Sequence, residues 1–66
     1  MAVARVTKIT ASSTQSFQQA VDDGLTRAAS SLRGITGLEV VSQKAKVENG
    51  AITEYRATIE VTFVLD

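Results

Sequence analysis

Every second residue from Tyr55 to Leu65 is apolar: Tyr55, Ala57, Ile59, Val61, Phe63 and Leu65. Between them stand Glu54, Arg56, Thr58, Glu60, Thr62 and Val64, of which only the last is apolar. A period of two puts one set on each face of a β-strand. The β-branched and aromatic content of Ala51–Leu65 fits the same reading. The strand therefore needs cover on one face, and the rest of the chain must supply it.

Ala2–Thr10, rich in Val, Ile and Thr, predicts a first strand with imperfect alternation. Val3 and Ile9 share a parity with Arg5 and Thr7, and Val6 lies opposite with Ala4 and Lys8. That mixture suits an edge strand, or one whose second face meets a neighbouring subunit, and Lys8 discourages stray edge pairing. Ala11–Thr14 reads as a turn in which Ser12, Ser13 or Thr14 caps a helix. The helix is expected to run to about Arg33, roughly 30 Å at 1.5 Å per residue. Phe17, Ala20, Val21, Gly24, Leu25, Ala28 and Leu32 form its apolar stripe. Asp23 and Arg27 are spaced to pair along it. Gly24 costs about 1 kcal/mol in a helix interior, a cost that close approach to the sheet would offset. Gly34 suits the left-handed residue that ends many helices.

Ile35–Gly37 reads as a short link and Leu38–Glu48 as the second strand. Asn49-Gly50 is the turn of a type I′ hairpin. A two-residue turn there sets Val40 opposite Ile59, Leu38 opposite Val61, Ser42 opposite Ala57 and Lys44 opposite Tyr55. On the other face it sets Glu39 opposite Glu60 and Gln43 opposite Arg56. Apolar parity changes partway along the strand, which predicts a bulge near Val41–Lys44. The hairpin arms approach roughly 50 Å, at about 3.3 Å per residue, more than one helix can clad. Val41, Val47, Ile52 and Val64 are expected on the uncovered face, a surplus that calls for subunit contacts.

Length and composition narrow the functional choices. The 66 residues make a single domain, 1–66, with neither Cys nor His. A chain this short buries only about 60% of its unfolded surface. Small folds lean on disulfides, metals or partner subunits. Disulfides, the usual zinc ligand sets and a Cys or His nucleophile are ruled out, which leaves oligomerisation. Seven basic residues balance seven acidic ones, so attraction to nucleic acid or an anionic membrane is weak. No apolar run approaches a bilayer span, and MAVARVTKI does not read as a signal peptide. The expected setting is cytoplasmic. Ser12, Ser13 and Ser16 have no His partner and read as cap residues, and Asp22 and Asp23 point apart on the helix. No acid, base and nucleophile converge, so an enzyme is not expected. Glu39 and Glu60, if opposed, repel unless salt-bridged, protonated or bridged by a cation such as calcium or magnesium.

The chain resembles the dodecins, small β-α-β-β proteins that assemble into hollow dodecamers. The likeness covers nearly the whole chain. It rests on the strand leading into Ala11-Ser12-Ser13, the Ser16-Phe17 helix entry, and Ala20-Val21-Asp22-Asp23 with Arg27-Ala28. It continues in Glu39-Val40-Val41, and in Tyr55-Arg56 through Glu60-Val61-Thr62-Phe63. The resemblance implies an α+β subunit, a three-stranded antiparallel sheet packed on one helix. It also implies a homododecamer that binds or stores a flavin (riboflavin, FMN or FAD) at subunit interfaces without catalysis.

Two positions depart from the family's flavin-binding pattern. Gly37 stands where an aromatic residue, usually Trp, stacks on the isoalloxazine ring. Arg56 stands where a Gln meets the ring's polar edge. Arg donates to carbonyls or phosphate but accepts nothing, so it does not reproduce the two-way contact of a Gln. Gly37, Gln43 and Arg56 are thus the candidate ligand-binding positions, each with a plain structural alternative: a linker glycine for the first, a cross-strand pair for the others. Trp-lacking members also bring metal binding into view. Glu39 and Glu60 are then the candidate ligands of a flavin-free, calcium-binding or purely structural dodecamer, with salt bridges across an interface as their plain alternative.

Overall fold

The elements run β1 (Val3–Ser13), α1 (Phe17–Ala29), β2 (Ile35–Glu48) and β3 (Ala51–Leu65). The computed structural model describes residues 3–65, so Ala2 of the expected first strand lies outside the described residues. The alternating strand β3 takes the centre of a three-stranded sheet, order β1-β3-β2, antiparallel throughout. One helix packs on it, as the pattern and the resemblance both imply.

The first strand is longer than expected. Ala11, Ser12 and Ser13 do not turn but continue the ladder opposite Ala57, Arg56 and Tyr55. Pairing to a long central strand satisfies backbone groups that a turn would leave to water. The cap consequently moves to Ser16, whose extended backbone aims its Oγ at the helix and accepts the Gln19 N–H at 2.9 Å. Ser13 Oγ accepts instead from the Gln15 N–H at 3.0 Å.

The helix is shorter than the apolar stripe suggests, at 13 residues or about 20 Å. It ends at Ala29, where the Ser30 hydroxyl donates to the Arg27 carbonyl at 2.6 Å. The Leu32 N–H still reaches the Ala28 carbonyl at 2.9 Å, which keeps Leu32 on the core side and explains why the spacing runs past the helix end. Asp23 pairs not with Arg27 but with Gln19, whose Nε2 donates to its Oδ1 at 2.7 Å. Gly24 does mark a close approach. A Cβ there would stand 3.1 Å from the Ala11 Cβ and 3.3 Å from Ile59 Cδ1. Gly34 has positive φ, at 74°, but five residues beyond the helix. There its carbonyl accepts the Val64 N–H at 3.0 Å and leads the chain into β2.

Ile35–Gly37 is strand rather than link. Asn49 and Gly50 have φ of 53° and 77°, as a type I′ turn requires. Beyond the turn the register slips three times; the last slip lies between Gly37 and Ile35, and the first two run in opposite senses. Between Val47 and Lys46 the extra residue is Thr53 on β3; between Ser42 and Val40 it is Val41 on β2. Those two slips cancel. Val40–Ile59, Leu38–Val61 and Glu39–Glu60 pair as expected, while the stretch between is displaced by one. Ser42 opposes Thr58, Gln43 opposes Ala57 and Lys44 opposes Arg56. The expected Ser42–Ala57, Lys44–Tyr55 and Gln43–Arg56 pairs are therefore absent, because the bulge at Thr53 intervenes first.

The core is small. Ala20, Ala28, Ala57, Ile59 and Val61 are buried, and among them only Ile59 and Val61 are large and fully enclosed. Ile9, Val21, Leu32, Ile35 and Leu38 pack around them, half-buried. Phe17 meets Tyr55 edge to face with ring centroids 5.0 Å apart. Val41, Val47 and Ile52 are exposed, but the slips at Thr53 and Val41 turn Val47 and its partner Ile52 to the helix side of the sheet, beyond the end of the helix, rather than to the face expected for them. Val64 is half-buried, because the Gly34 segment lies against it.

Candidate functional site

The sheet's two faces are occupied very differently. On one, β3 presents Ala57, Ile59 and Val61 to α1. On the other, rows of polar side chains cross all three strands. Register sets Ser12, Arg56 and Lys44 in one row, Thr10, Thr58 and Ser42 in the next, and Lys8, Glu60 and Glu39 in the third. Thr10 and Thr58 share a hydroxyl–hydroxyl hydrogen bond of 2.9 Å. The β1 members of these rows were not legible in the chain, since no short turn fixes the register of β1 against β3.

The three candidate ligand positions do not converge within one protomer. Gly37 pairs with Thr62 near one end of the sheet. Gln43 and Arg56 each lie six residues away along their strands, about 20 Å at about 3.3 Å per residue. Gln43 opposes the helix-side residue Ala57, so it and Arg56 belong to opposite faces. Arg56 is already engaged: its Nε–H donates to Glu54 Oε1 at 2.6 Å. That hydrogen bond, with the guanidinium charge behind it, holds the Glu54 carboxyl below its ordinary range. Gly37 is open. A Cβ built there meets nothing within 4 Å, and its φ is not in the left-handed region. Nothing in the backbone requires a glycine at this position.

α1 lies over β1 and β3 and scarcely touches β2. Leu38 and Val40, on the helix side of β2, are accordingly left partly bare, and Val40 is exposed. Gly37, opposite Thr62 and two residues before Glu39, lies on the other, helix-free face of the sheet.

Glu39 and Glu60 do face each other across β2 and β3, with Lys8 next in the row beside Glu60. Neither makes an ion pair within 4 Å among the described residues, where the pairs are Lys46–Glu48 and Arg56–Glu54. No three acidic, Cys or His side chains gather into a metal-holding group among the described residues. Two carboxylates fall short of the six to eight oxygens that calcium takes. No helix is long and apolar enough to cross a membrane among the described residues.

A family model described as Dodecin matches residues 3–66. Among solved structures, the dodecin of Streptomyces davaonensis is 32% identical, with 98% of this chain and 96% of that one covered and a TM-score of 0.92. The dodecin of Streptomyces coelicolor is 28% identical over 98% and 93% of the two chains, with a TM-score of 0.93. A calcium-chelating antigen of Mycobacterium tuberculosis, described as a calcium dodecin, is 32% identical over 97% and 91%, with a TM-score of 0.83. Comparison with curated proteins finds no match.

Proposed function

The chain belongs to the dodecin family, and from that premise we propose that it is a non-catalytic homododecameric shell that holds a flavin at contacts between its subunits. The observation that carries this reading is the mismatch between core and surface. Among the described residues only two large side chains are fully enclosed, while seven large apolar ones are exposed. A subunit built this way gains its stability from neighbours. Riboflavin, FMN or FAD is the ligand class the family brings.

Gly37 sets the expected affinity. With no aromatic ring there, each flavin lacks a stacking partner worth about 0.5–1.5 kcal/mol beyond area burial. Because a Cβ at this position meets nothing within 4 Å, Gly37→Trp is the substitution that restores the ring. Two rings sandwiching one ligand contribute about 1–3 kcal/mol, or roughly 5- to 150-fold in affinity. Riboflavin and FMN titrated into the purified oligomer report binding as fluorescence quenching. The expected result is weak quenching by the native chain and a shift of roughly that size in the variant. An intact oligomer that quenches neither flavin, with or without the Trp, overturns the flavin reading.

A second, lesser reading is divalent-cation binding. It is favoured by the calcium dodecin among the similar structures and by the opposed Glu39 and Glu60. Symmetry copies would have to complete the oxygen shell. Calorimetry with calcium, repeated on Glu60→Gln, decides it: the heat should vanish in the variant, and an unchanged heat removes these two ligands.

A further inference from the structure

Ser13–Tyr55 is the last pair β1 makes, so Lys46–Thr53 projects beyond it as a two-stranded arm. Asn49-Gly50 is the whole of the turn that closes this arm, with Glu48–Ala51 as the ladder pair before it. Asn49 is the only asparagine in the chain. Both turn residues are exposed. Neither the Asn49 side chain nor the Gly50 N–H makes a hydrogen bond among the described residues. A Cβ built on Gly50 meets nothing within 4 Å, so the space around the turn is empty.

An asparagine carboxamide lies one bond away from closing a five-membered ring with the next backbone nitrogen. A side chain on the following residue shields that nitrogen, and glycine carries none. An N–H bonded into a helix or ladder is tied to its acceptor. The Asn49-Gly50 step escapes both restraints. The chain supplies its own contrast in Asp23-Gly24, to which the same ring is open with loss of water. That step lies inside α1, where Gly24 is buried and its N–H belongs to the helical ladder. Asp23 Oδ1 there already accepts from Gln19 Nε2 at 2.7 Å.

We propose that the folded chain modifies itself at Asn49 by deamidation. The Gly50 nitrogen gives its proton to solvent base and attacks Asn49 Cγ. The N–Cγ bond forms, the Cγ–Nδ2 bond breaks, and the leaving nitrogen takes a proton from water and departs as ammonia. Water then opens the succinimide. Opening at Cγ leaves an aspartate; opening at the main-chain carbonyl leaves an isoaspartate, whose backbone runs through Cβ. The sum is one water in and one ammonia out, with no oxidation. The formal net charge moves from zero to minus one. The new carboxylate stands beside Glu48, whose Oε1 faces Lys46 Nζ at 3.7 Å and accepts the Thr53 hydroxyl at 3.1 Å. The two products differ in what they do to the arm. Asp-Gly suits a type I′ turn as Asn-Gly does, so the aspartate form keeps the hairpin. The isoaspartate adds a main-chain atom to a two-residue loop and breaks the Glu48–Ala51 closure, fraying the arm back toward Val47–Ile52. The reaction needs neither ligand nor neighbour, so it stands apart from the flavin and shell readings.

The purified protein, held at neutral and at mildly alkaline pH, is sampled over time and digested with trypsin, which frees Val47–Arg56 as one peptide. That peptide should gain one mass unit, faster at the higher pH, and split into two products of equal mass. Only one of them, the isoaspartate, should accept a labelled methyl group from a protein isoaspartyl methyltransferase. Asn49→Gly keeps a Gly-Gly turn and should lose the whole gain. The peptide Ile9–Arg27, which holds Asp23, should take no label. A native chain that holds its mass while the chain unfolded in guanidinium chloride gains it means that the fold shields the turn, and overturns the proposal. So does a chain that holds its mass in both states. Label on Ile9–Arg27 rather than Val47–Arg56, or an undiminished gain in Asn49→Gly, overturns the choice of site.

Discussion

Residues Ala57–Val61 and Ala51–Thr53 belong to one strand and meet opposite fates. The first stretch has β1 on one side, β2 on the other and α1 above, and its alternate side chains are buried. The second has β2 alone, and all three residues are exposed. The Phe17–Tyr55 edge contact marks the boundary, where the helix begins and β1 ends. Alternation therefore reports which residues share a face, whereas burial is set by what happens to lie over that face. In this chain the cover from β1 and α1 runs out at Tyr55, and nothing within the protomer encloses Ile52.

The comparison is broken most sharply by truncating one isoleucine in each half. Ile59→Ala empties space beneath the helix and should cost about 2–5 kcal/mol of unfolding free energy at any chain concentration. Ile52→Ala removes a side chain that nothing in its own protomer encloses. Its effect should appear as a steeper dependence of stability on chain concentration, since it weakens association rather than the fold. Denaturant melts at several matched concentrations distinguish the two. If Ile59→Ala costs less than about 1 kcal/mol, the covered half is not the core it is taken to be.

A smaller effect contrasts two glycines. Gly24→Val would drive a side chain into the Ala11 Cβ, 3.1 Å from where its own Cβ would lie, and into Ile59. Overpacking of this kind costs about 1–3 kcal/mol. Ala11 is fixed on the β1–β3 ladder and cannot swing away, so better helix propensity does not rescue the substitution. Gly37→Val faces open space in a strand and should fall within about 0.5 kcal/mol of the native chain. Thermal melts of both variants at one concentration check the pair. Equal losses would mean that the helix can slide off β1.

Much of this architecture is legible in the residues, and the failures have particular causes. Asn49-Gly50 fixed the turn and Gly24 the close approach, because each depends on a local steric demand that only glycine or asparagine meets easily. The β1 end differs from its local reading because Ser12 and Ser13 serve a cap or a strand equally well, and the choice belongs to β3, distant in sequence. Leu32 extended the helical stripe past Ala29, since a turn that keeps one i to i−4 bond looks like helix to a spacing argument. The Thr53 slip has a signature in the parity change from Ile52 to Tyr55, three residues apart, but a single apolar residue beside a turn reads equally well as the other face of a regular strand. That single residue sets Gln43 opposite Ala57 and Lys44 opposite Arg56, so Gln43 and Arg56 fall on opposite faces. Gly37, by contrast, stands out only through likeness to a family pattern. No physical feature of the residue itself points to a ligand.

The smallest effect concerns the charge pair near the boundary between the two halves. Arg56 lies in the three-stranded part of the sheet, on its helix-free face, and its guanidinium reaches back to Glu54, the β3 residue that follows the Thr53 bulge. Because the folded carboxyl titrates below its unfolded counterpart, it binds protons less readily in the native state. The pair's contribution is thus complete above the unfolded value, about 4.3 for Glu, and is lost as pH falls through the lower folded one. Arg56→Gln removes the charge and the strongest donor, so the Glu54 titration should move up toward its ordinary position. Side-chain carbon NMR against pH reads it directly, and wide exposure keeps any change in overall stability small. An unmoved titration would mean that Lys46, opposite Glu54 in the β2 register, carries the shift instead. The arm would then be held by its own cross-strand charges, independent of the covered half.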